Sequence, residues 1–122
     1  MRVFIADDSQ IMRERLKEML SETPGVEIIG EAGQGGEAIR DIIESKPDVV
    51  ILDIRMPGGN GIDVLQAIKK GDPAPTVIML TNYPYPQYRK KCMGLGADYF
   101  FDKYSEFERL MEMIEQLNRD SQ

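Results

Sequence analysis

Two hydrophobic rhythms alternate along the chain. Short apolar runs fall at Val3–Ala6, Val26–Ile29, Val49–Leu52, Val77–Leu80 and Tyr99–Phe101, the second broken only by Glu27. Runs of this length without polar interruption predict strands buried on both faces. Between them, apolar residues recur at helical spacing. After Ser9, a good N-cap residue, come Met12, Leu16, Met19 and Leu20. Ala38, Ile39, Ile42 and Ile43 form a second face, and Val64, Leu65 and Ile68 a third. Pro84 and Pro86 delay the fourth helix to about Gln87, and it ends near Gly94 or Gly96. The last helix carries Phe107, Leu110, Met111, Ile114 and Leu117, with Ser105 expected as its cap. Thr23-Pro24-Gly25, Lys46-Pro47-Asp48 and Gly71-Asp72-Pro73 mark turns before the second, third and fourth strands. Five strand-then-helix repeats predict an α/β, doubly wound fold: a parallel sheet with helices on both faces.

Length and composition narrow this further. The 122 residues, 42% of them hydrophobic, are material for one domain with a real core, expected to span residues 1–122. The formal net charge of −6 argues against nucleic acid and anionic membrane as general partners. There is no histidine, which excludes a Ser-His-Asp or Cys-His centre, a His-ligated zinc site and the role of phosphohistidine carrier. The single cysteine, Cys92, permits neither an internal disulfide nor a cysteine-cluster metal site, and is read as a small packing residue. No apolar run approaches membrane-spanning length, and Asp7 and Asp8 interrupt the N-terminus too early for a signal peptide. A soluble cytoplasmic domain is expected.

In a doubly wound fold, ligands bind beyond the carboxyl ends of the strands, where the strand order reverses. The polar residues at those ends are Asp7 and Asp8, Asp53, Thr81 and Lys103. Taken singly, each has a plainer reading as a cap, a turn or a surface charge. Four strand ends delivering three carboxylates, a hydroxyl and an ammonium to one edge are harder to explain that way. Clustered carboxylates must share protons or bind a cation. Oxygen-only ligands select a hard ion, Mg²⁺ or else Mn²⁺ or Ca²⁺. A carboxylate can also attack phosphorus and form an acyl phosphate, with a metal, a lysine and a hydroxyl neutralising the phosphoryl oxygens.

Four fragments in order, each at the end of an expected strand, give the chain a specific resemblance. They are Asp7-Asp8-Ser9; Leu52-Asp53-Ile54-Arg55-Met56-Pro57 with Gly61; Leu80-Thr81; and Gly96-Ala97-Asp98-Tyr99-Phe100-Phe101-Asp102-Lys103. Over nearly its whole length the chain resembles the CheY-like receiver domain of two-component response regulators. The resemblance implies a flavodoxin-like (βα)5 sheet in the order 2-1-3-4-5. It implies Asp53 as phosphoacceptor from a sensor histidine kinase or histidine phosphotransfer protein. Mg²⁺ would be held by Asp7, Asp8, Asp53 and the Arg55 carbonyl. Lys103 and Thr81 would bind phosphoryl oxygens, and Thr81 with Phe100 would form the switch. Phosphorylation would then alter the surface of the fourth helix, fifth strand and fifth helix for a downstream protein target. Tyr99, Phe101 and Tyr104 make a homodimer through that surface feasible.

On this reading the chain is a phosphoacceptor signalling domain with self-catalysed phosphotransfer and autodephosphorylation, not a turnover enzyme. No output domain is expected within residues 1–122, so it is either a stand-alone regulator or an excised receiver. Tyr104 stands where many members have proline, so the cis peptide common there is not carried over. Phe100 lacks the hydroxyl of the usual tyrosine. Arg55 and Tyr83, two residues after Asp53 and Thr81, occupy positions that tune phosphate lifetime in the family, and their bulk predicts slow autodephosphorylation. Gly33-Gln34-Gly35-Gly36 lacks a following Gly-Lys-Ser/Thr and is read as a flexible connection, not a phosphate loop. Two other readings compete: an Asp-nucleophile Mg²⁺ phosphatase of the haloacid-dehalogenase type, and a non-phosphorylated interaction module of the same fold. The phosphatase pattern places Asp-x-Asp after one strand, whereas here the carboxylates come from two.

Overall fold

Strand pairing turns the predicted repeat into a single sheet. The computed structural model describes residues 1–121. Its strands are β1 (Arg2–Ala6), β2 (Glu27–Ala32), β3 (Val49–Leu52), β4 (Thr76–Thr81) and β5 (Tyr99–Asp102). They alternate with helices α1 (Gln10–Leu20), α2 (Gly35–Ser45), α3 (Gly61–Ile68), α4 (Pro86–Gly94) and α5 (Phe107–Asp120). All pairings are parallel and the order is β2-β1-β3-β4-β5, as the resemblance implied.

Side-chain parity explains the layering. Successive residues of a strand face opposite sides of the sheet. Val3, Ile5, Val49, Ile51, Ile78 and Leu80 pack with Leu16 and Leu20 of α1 and with Phe107, Leu110 and Ile114 of α5. Their neighbours Phe4, Ala6, Val50, Leu52, Val77, Met79 and Phe100 pack with residues of α2, α3 and α4. Three central strands with unbroken apolar runs, Val3–Ala6, Val49–Leu52 and Val77–Leu80, thus supply two cores at once. The buried Cys92 is one of the packing residues of the second core, and burial holds its thiol above the usual range.

The edges depart from expectation. β2 runs to Ala32, beyond the apolar run that suggested Ile29, because its backbone continues the ladder through Ile5↔Glu31 and Ala6↔Ala32. It is mostly half-buried, as an edge strand paired along one edge only. Gly30 within it leaves room for the Phe4 ring: a Cβ there would lie 2.8 Å from a ring carbon. Ile43 is 56% exposed and does not join the second helical face in the core.

Caps were half legible. Ser9 caps α1 as expected, its hydroxyl accepting from Met12 N at 3.2 Å. Ser105 does not cap α5. Glu106 occupies that position, and its side chain turns back to accept from Asp102 N at 3.1 Å. Pro86 is the first residue of α4, where its missing N–H costs nothing. The bond between Lys103 and Tyr104 is trans; among the described residues the cis bond is Asp72–Pro73. Nor is the Gly33–Gly36 segment a loose connection: Gly35 and Gly36 open α2 and are hydrogen-bonded to another loop. No helix among the described residues is long and apolar enough to cross a membrane.

Candidate functional site

The chain leaves β1 toward β2 on one side and returns to β3 on the other, so a crevice opens between the carboxyl ends of β1 and β3. Ala6 pairs with Leu52, which makes Asp7 and Asp53 the next residues of two adjacent strands. Asp53 N donates to Ala6 O at 2.9 Å and Asp7 N to Ala32 O at 3.0 Å, so both backbones are fixed by the ladder. Their carboxylates are buried in the same crevice, while Asp8 stays exposed at its mouth.

Lys103 reaches the crevice from β5, two strands away from β3. That distance is about 10 Å, and only a long side chain covers it. The lysine is 4% exposed, and its ammonium sits 2.7 Å from Asp7 Oδ2 and 3.0 Å from Asp53 Oδ2. Burial alone would push its pKa down; hydrogen bonds to Asp7 and the charge of Asp53 outweigh this and hold it above the ordinary lysine value. Asp53 moves upward too. Desolvation disfavours its charge most, the Asp7 carboxylate adds repulsion, and Lys103 opposes both without cancelling them. Its other oxygen accepts from Ile54 N at 2.7 Å.

One ligand oxygen from each of Asp7, Asp8 and Asp53 lies within 4.8 Å of the others. Oxygens bound to one Mg²⁺ at about 2.1 Å are separated by about 3 to 4 Å, so a small closing movement would complete the set. With all three carboxylates ionised, the cluster and Lys103 carry a net charge of −2, which one divalent ion cancels. An all-oxygen donor set of this charge fits a hard cation.

The remaining expected residues lie around this cluster. Thr81 is fully buried at the end of β4, and its hydroxyl accepts from Tyr83 N at 3.0 Å rather than bonding the carboxylates. Phe100 is buried on β5 in the core beneath α4, where Arg89 lies 5.0 Å above its ring and donates to its carbonyl at 3.1 Å. Arg55 is exposed beyond Asp53, its guanidinium 4.0 Å from the centre of the Tyr83 ring. The two bulky residues expected to tune phosphate lifetime are therefore in direct contact. Of the aromatic residues suggested for pairing, Tyr99 and Phe101 stack on each other and pack against the α1–α5 core, whereas Tyr104 is 83% exposed.

Sequence reasoning missed several supporting groups. Arg13 donates to Asp7 O at 2.6 Å and to Glu31 at 3.0 Å, tying the start of α1 to the ends of β1 and β2. Asp98 accepts from Val77 N and from Lys69, each at 2.8 Å, and so anchors the start of β5 beside β4. Gly61 packs so tightly under the loop after Asp53 that a Cβ would collide with Asp53 O. Gly61 and Asp98 had a sequence signal, as parts of the fragments around Asp53 and Lys103, but Arg13 had none.

A five-stranded 2-1-3-4-5 sheet with a carboxylate–lysine cluster at its reversal point defines a class, the CheY-type α/β signalling domain. The model of the response regulator receiver domain matches residues 3–115, and the chain belongs to that family. It is 35% identical to the chemotaxis protein CheY of Thermotoga maritima, over 97% of this chain and 98% of that protein. It is 34% identical to a protein-glutamate methylesterase/protein-glutamine glutaminase of Alkalilimnicola ehrlichii, covering 93% of this chain but 30% of that protein. It also matches the sensory transduction protein LytT of Bacillus cereus, at 32% identity over 100% of this chain and 49% of that one. The chain thus spans half or less of these two longer relatives. Among solved structures, the response regulator domain of Thermotoga maritima CheB superposes with a TM-score of 0.86 at 32% identity, covering 98% of this chain and 94% of that one. A CheX–CheY–BeF3–Mg²⁺ complex from Borrelia burgdorferi gives a TM-score of 0.86 at 30% identity, covering 95% and 87%.

Proposed function

We propose that this domain takes a phosphoryl group from a phosphohistidine of a sensor kinase or phosphotransfer protein onto Asp53. The observation that carries the reading is the Lys103 ammonium held between buried Asp7 and Asp53, with Asp8 alongside. An Asp53 oxygen attacks phosphorus, a P–O bond forms, and the P–N bond breaks with its electron pair leaving on the imidazole. Mg²⁺, bound by Asp7, Asp8, Asp53 and the Arg55 carbonyl, would supply charge neutralisation at the phosphoryl oxygens. Lys103 then exchanges its Asp53 contact for a phosphoryl oxygen while keeping Asp7. Thr81 turns its hydroxyl from Tyr83 N to a second phosphoryl oxygen, which frees the start of the β4–α4 loop. That movement alters the α4-β5-α5 face, the surface offered to a downstream protein or to a second copy of the chain. The relative solved as a CheX–CheY–BeF3–Mg²⁺ complex supports a metal-assisted site and a protein partner. A single receiver domain over residues 1–122 fits the one sheet and its two cores.

The test is intact mass after incubation with acetyl phosphate and Mg²⁺, beside Asp53→Asn and a metal-free control. One added phosphoryl group that requires both Asp53 and metal supports the reading. No adduct, together with a spectrum unmoved by beryllofluoride, would leave a non-phosphorylated interaction module instead.

A further inference from the structure

The first turn of α2 and the loop after Asp53 are joined backbone to backbone. A helix N-terminus leaves N–H groups without intrahelical partners, and side chains usually satisfy them. Gln34 at the N-cap contributes no such bond. Instead Gly35 N donates to Pro57 O at 3.0 Å and Gly36 N to Gly58 O at 3.1 Å. Gly35 is buried, and a Cβ on it would lie 2.1 Å from Gly59 O, 2.7 Å from Gly59 C and 2.9 Å from Gly59 Cα. Every one of those atoms is main chain, so a methyl group could be admitted only by moving the loop. Gly35 is not among the positive-φ glycines, so close approach rather than backbone conformation requires glycine there. At Gly36 a Cβ would meet only Gly58 O, at 3.8 Å, an ordinary contact.

The other end of the same loop is equally tight. Gly61 N donates to Ile54 O, and Gly61 lies against Asp53 O with no room for a side chain. Residues 54–60 are therefore clamped at the base by Gly61 and at the tip by Gly35. Arg55 lies between the two clamps.

We infer that Gly35 is a positioning residue for the metal side of the site: by seating Pro57–Gly59 on α2, it fixes the segment that presents the Arg55 carbonyl beside Asp53. This rests on the proposed Mg²⁺-assisted role of Asp53. Gly35 touches neither metal nor phosphoryl group; it acts through the loop.

Two alanine variants one residue apart separate this role from helix stability. Gly35→Ala and Gly36→Ala both gain helix preference, but only the first collides with main chain. NMR titration with Mg²⁺ is expected to give a Kd about tenfold weaker for Gly35→Ala, the scale seen when groups that orient metal ligands are disturbed. Gly36→Ala is expected to stay within about twofold of the parent, since it disturbs none of those groups. Before any metal is added, amide exchange across residues 55–60 is faster in Gly35→Ala alone. Linkage is reciprocal, so in the unsubstituted chain Mg²⁺ slows exchange at the Gly35 and Gly36 amides, a test that stands even if Gly35→Ala does not fold. Parental Mg²⁺ affinity in Gly35→Ala, an equal loss in both variants, or Gly35 and Gly36 amides indifferent to bound Mg²⁺ overturns the inference. An unsubstituted chain that binds no Mg²⁺ sinks the underlying reading, and this inference with it.

Discussion

Replacing Lys103 with methionine keeps most of its buried stem and removes only the ammonium. What remains is two buried carboxylates, Asp7 and Asp53, that have lost a shared partner at 2.7 and 3.0 Å. Removing one member of a buried ion pair typically costs about 3–5 kcal/mol. Proton uptake sets a ceiling on that cost. If one carboxylate takes a proton, the cluster regains the charge it had with lysine present. At pH 7 the price of that proton is about 4 kcal/mol for an ordinary Asp, and at pH 5 about 1.5 kcal/mol. The Lys103→Met destabilisation should therefore be about 3–4 kcal/mol at pH 7 and shrink below about 2 kcal/mol at pH 5. Urea unfolding followed by circular dichroism, with EDTA present, measures both values. Saturating Mg²⁺ should return much of the loss, because a divalent ion binds the folded cluster and not the unfolded chain. A loss under about 1 kcal/mol at pH 7, or the same loss at both pH values, would refute the argument that Lys103 neutralises this pair.

Three further outcomes are expected. Asp53 has a folded-state pKa above its unfolded value, so its stabilising contribution is complete below the unfolded value and is lost as pH rises through the folded one. In EDTA, Asp53→Asn should accordingly be at least as stable as the parent near pH 7, with the advantage vanishing on acidification; paired melting curves across that range would show the opposite trend if burial did not dominate at Asp53. If Arg55 stacked on Tyr83 shields an acyl phosphate on Asp53 from water, the phosphorylated Arg55→Ala/Tyr83→Ala double variant should lose phosphate several-fold faster by mass spectrometry. Slower or unchanged decay would contradict that shielding. Gly61→Ala, whose methyl would meet Asp53 O, should lower stability by about 3 kcal/mol or more in urea unfolding, whereas a parental midpoint would show that the loop can yield.

How far the sequence could be read depended on which groups did the holding. β1, β3 and β4 were plain because a central strand packs both faces and carries no polar interruption. β2 was cut short because its far half is held by main-chain pairing, which does not depend on Gly30 or Glu31 being apolar. Asp7, Asp53 and Lys103 could be placed at one edge from strand ends alone, since parallel strands all deliver their carboxyl ends to the same side. That Lys103 bridges both carboxylates, while the Thr81 hydroxyl is engaged by Tyr83 N, depends on side-chain reach that periodicity does not encode. The expected Ser105 cap failed because α5 begins one residue later, with Glu106 at the N-cap position and its carboxylate turned back to Asp102 N. The glycines at 33–36 looked loose because a contact between two main chains leaves no hydrophobic or charged trace.

The three buried members of the cluster are far apart along the chain, with 50 residues separating Asp53 from Lys103. Contacts of such long sequence separation form late, after the entropy of closing the intervening loop has been overcome. A chain folded only through β4 would hold Asp7 and Asp53 side by side without a counter-charge, in the state that electrostatics disfavours most. Docking of β5 completes the sheet and supplies that charge in one event. On the proposed function, competence to accept phosphate would thereby be tied to complete folding, so that partly folded or misassembled chains would not drain phosphoryl groups from a donor.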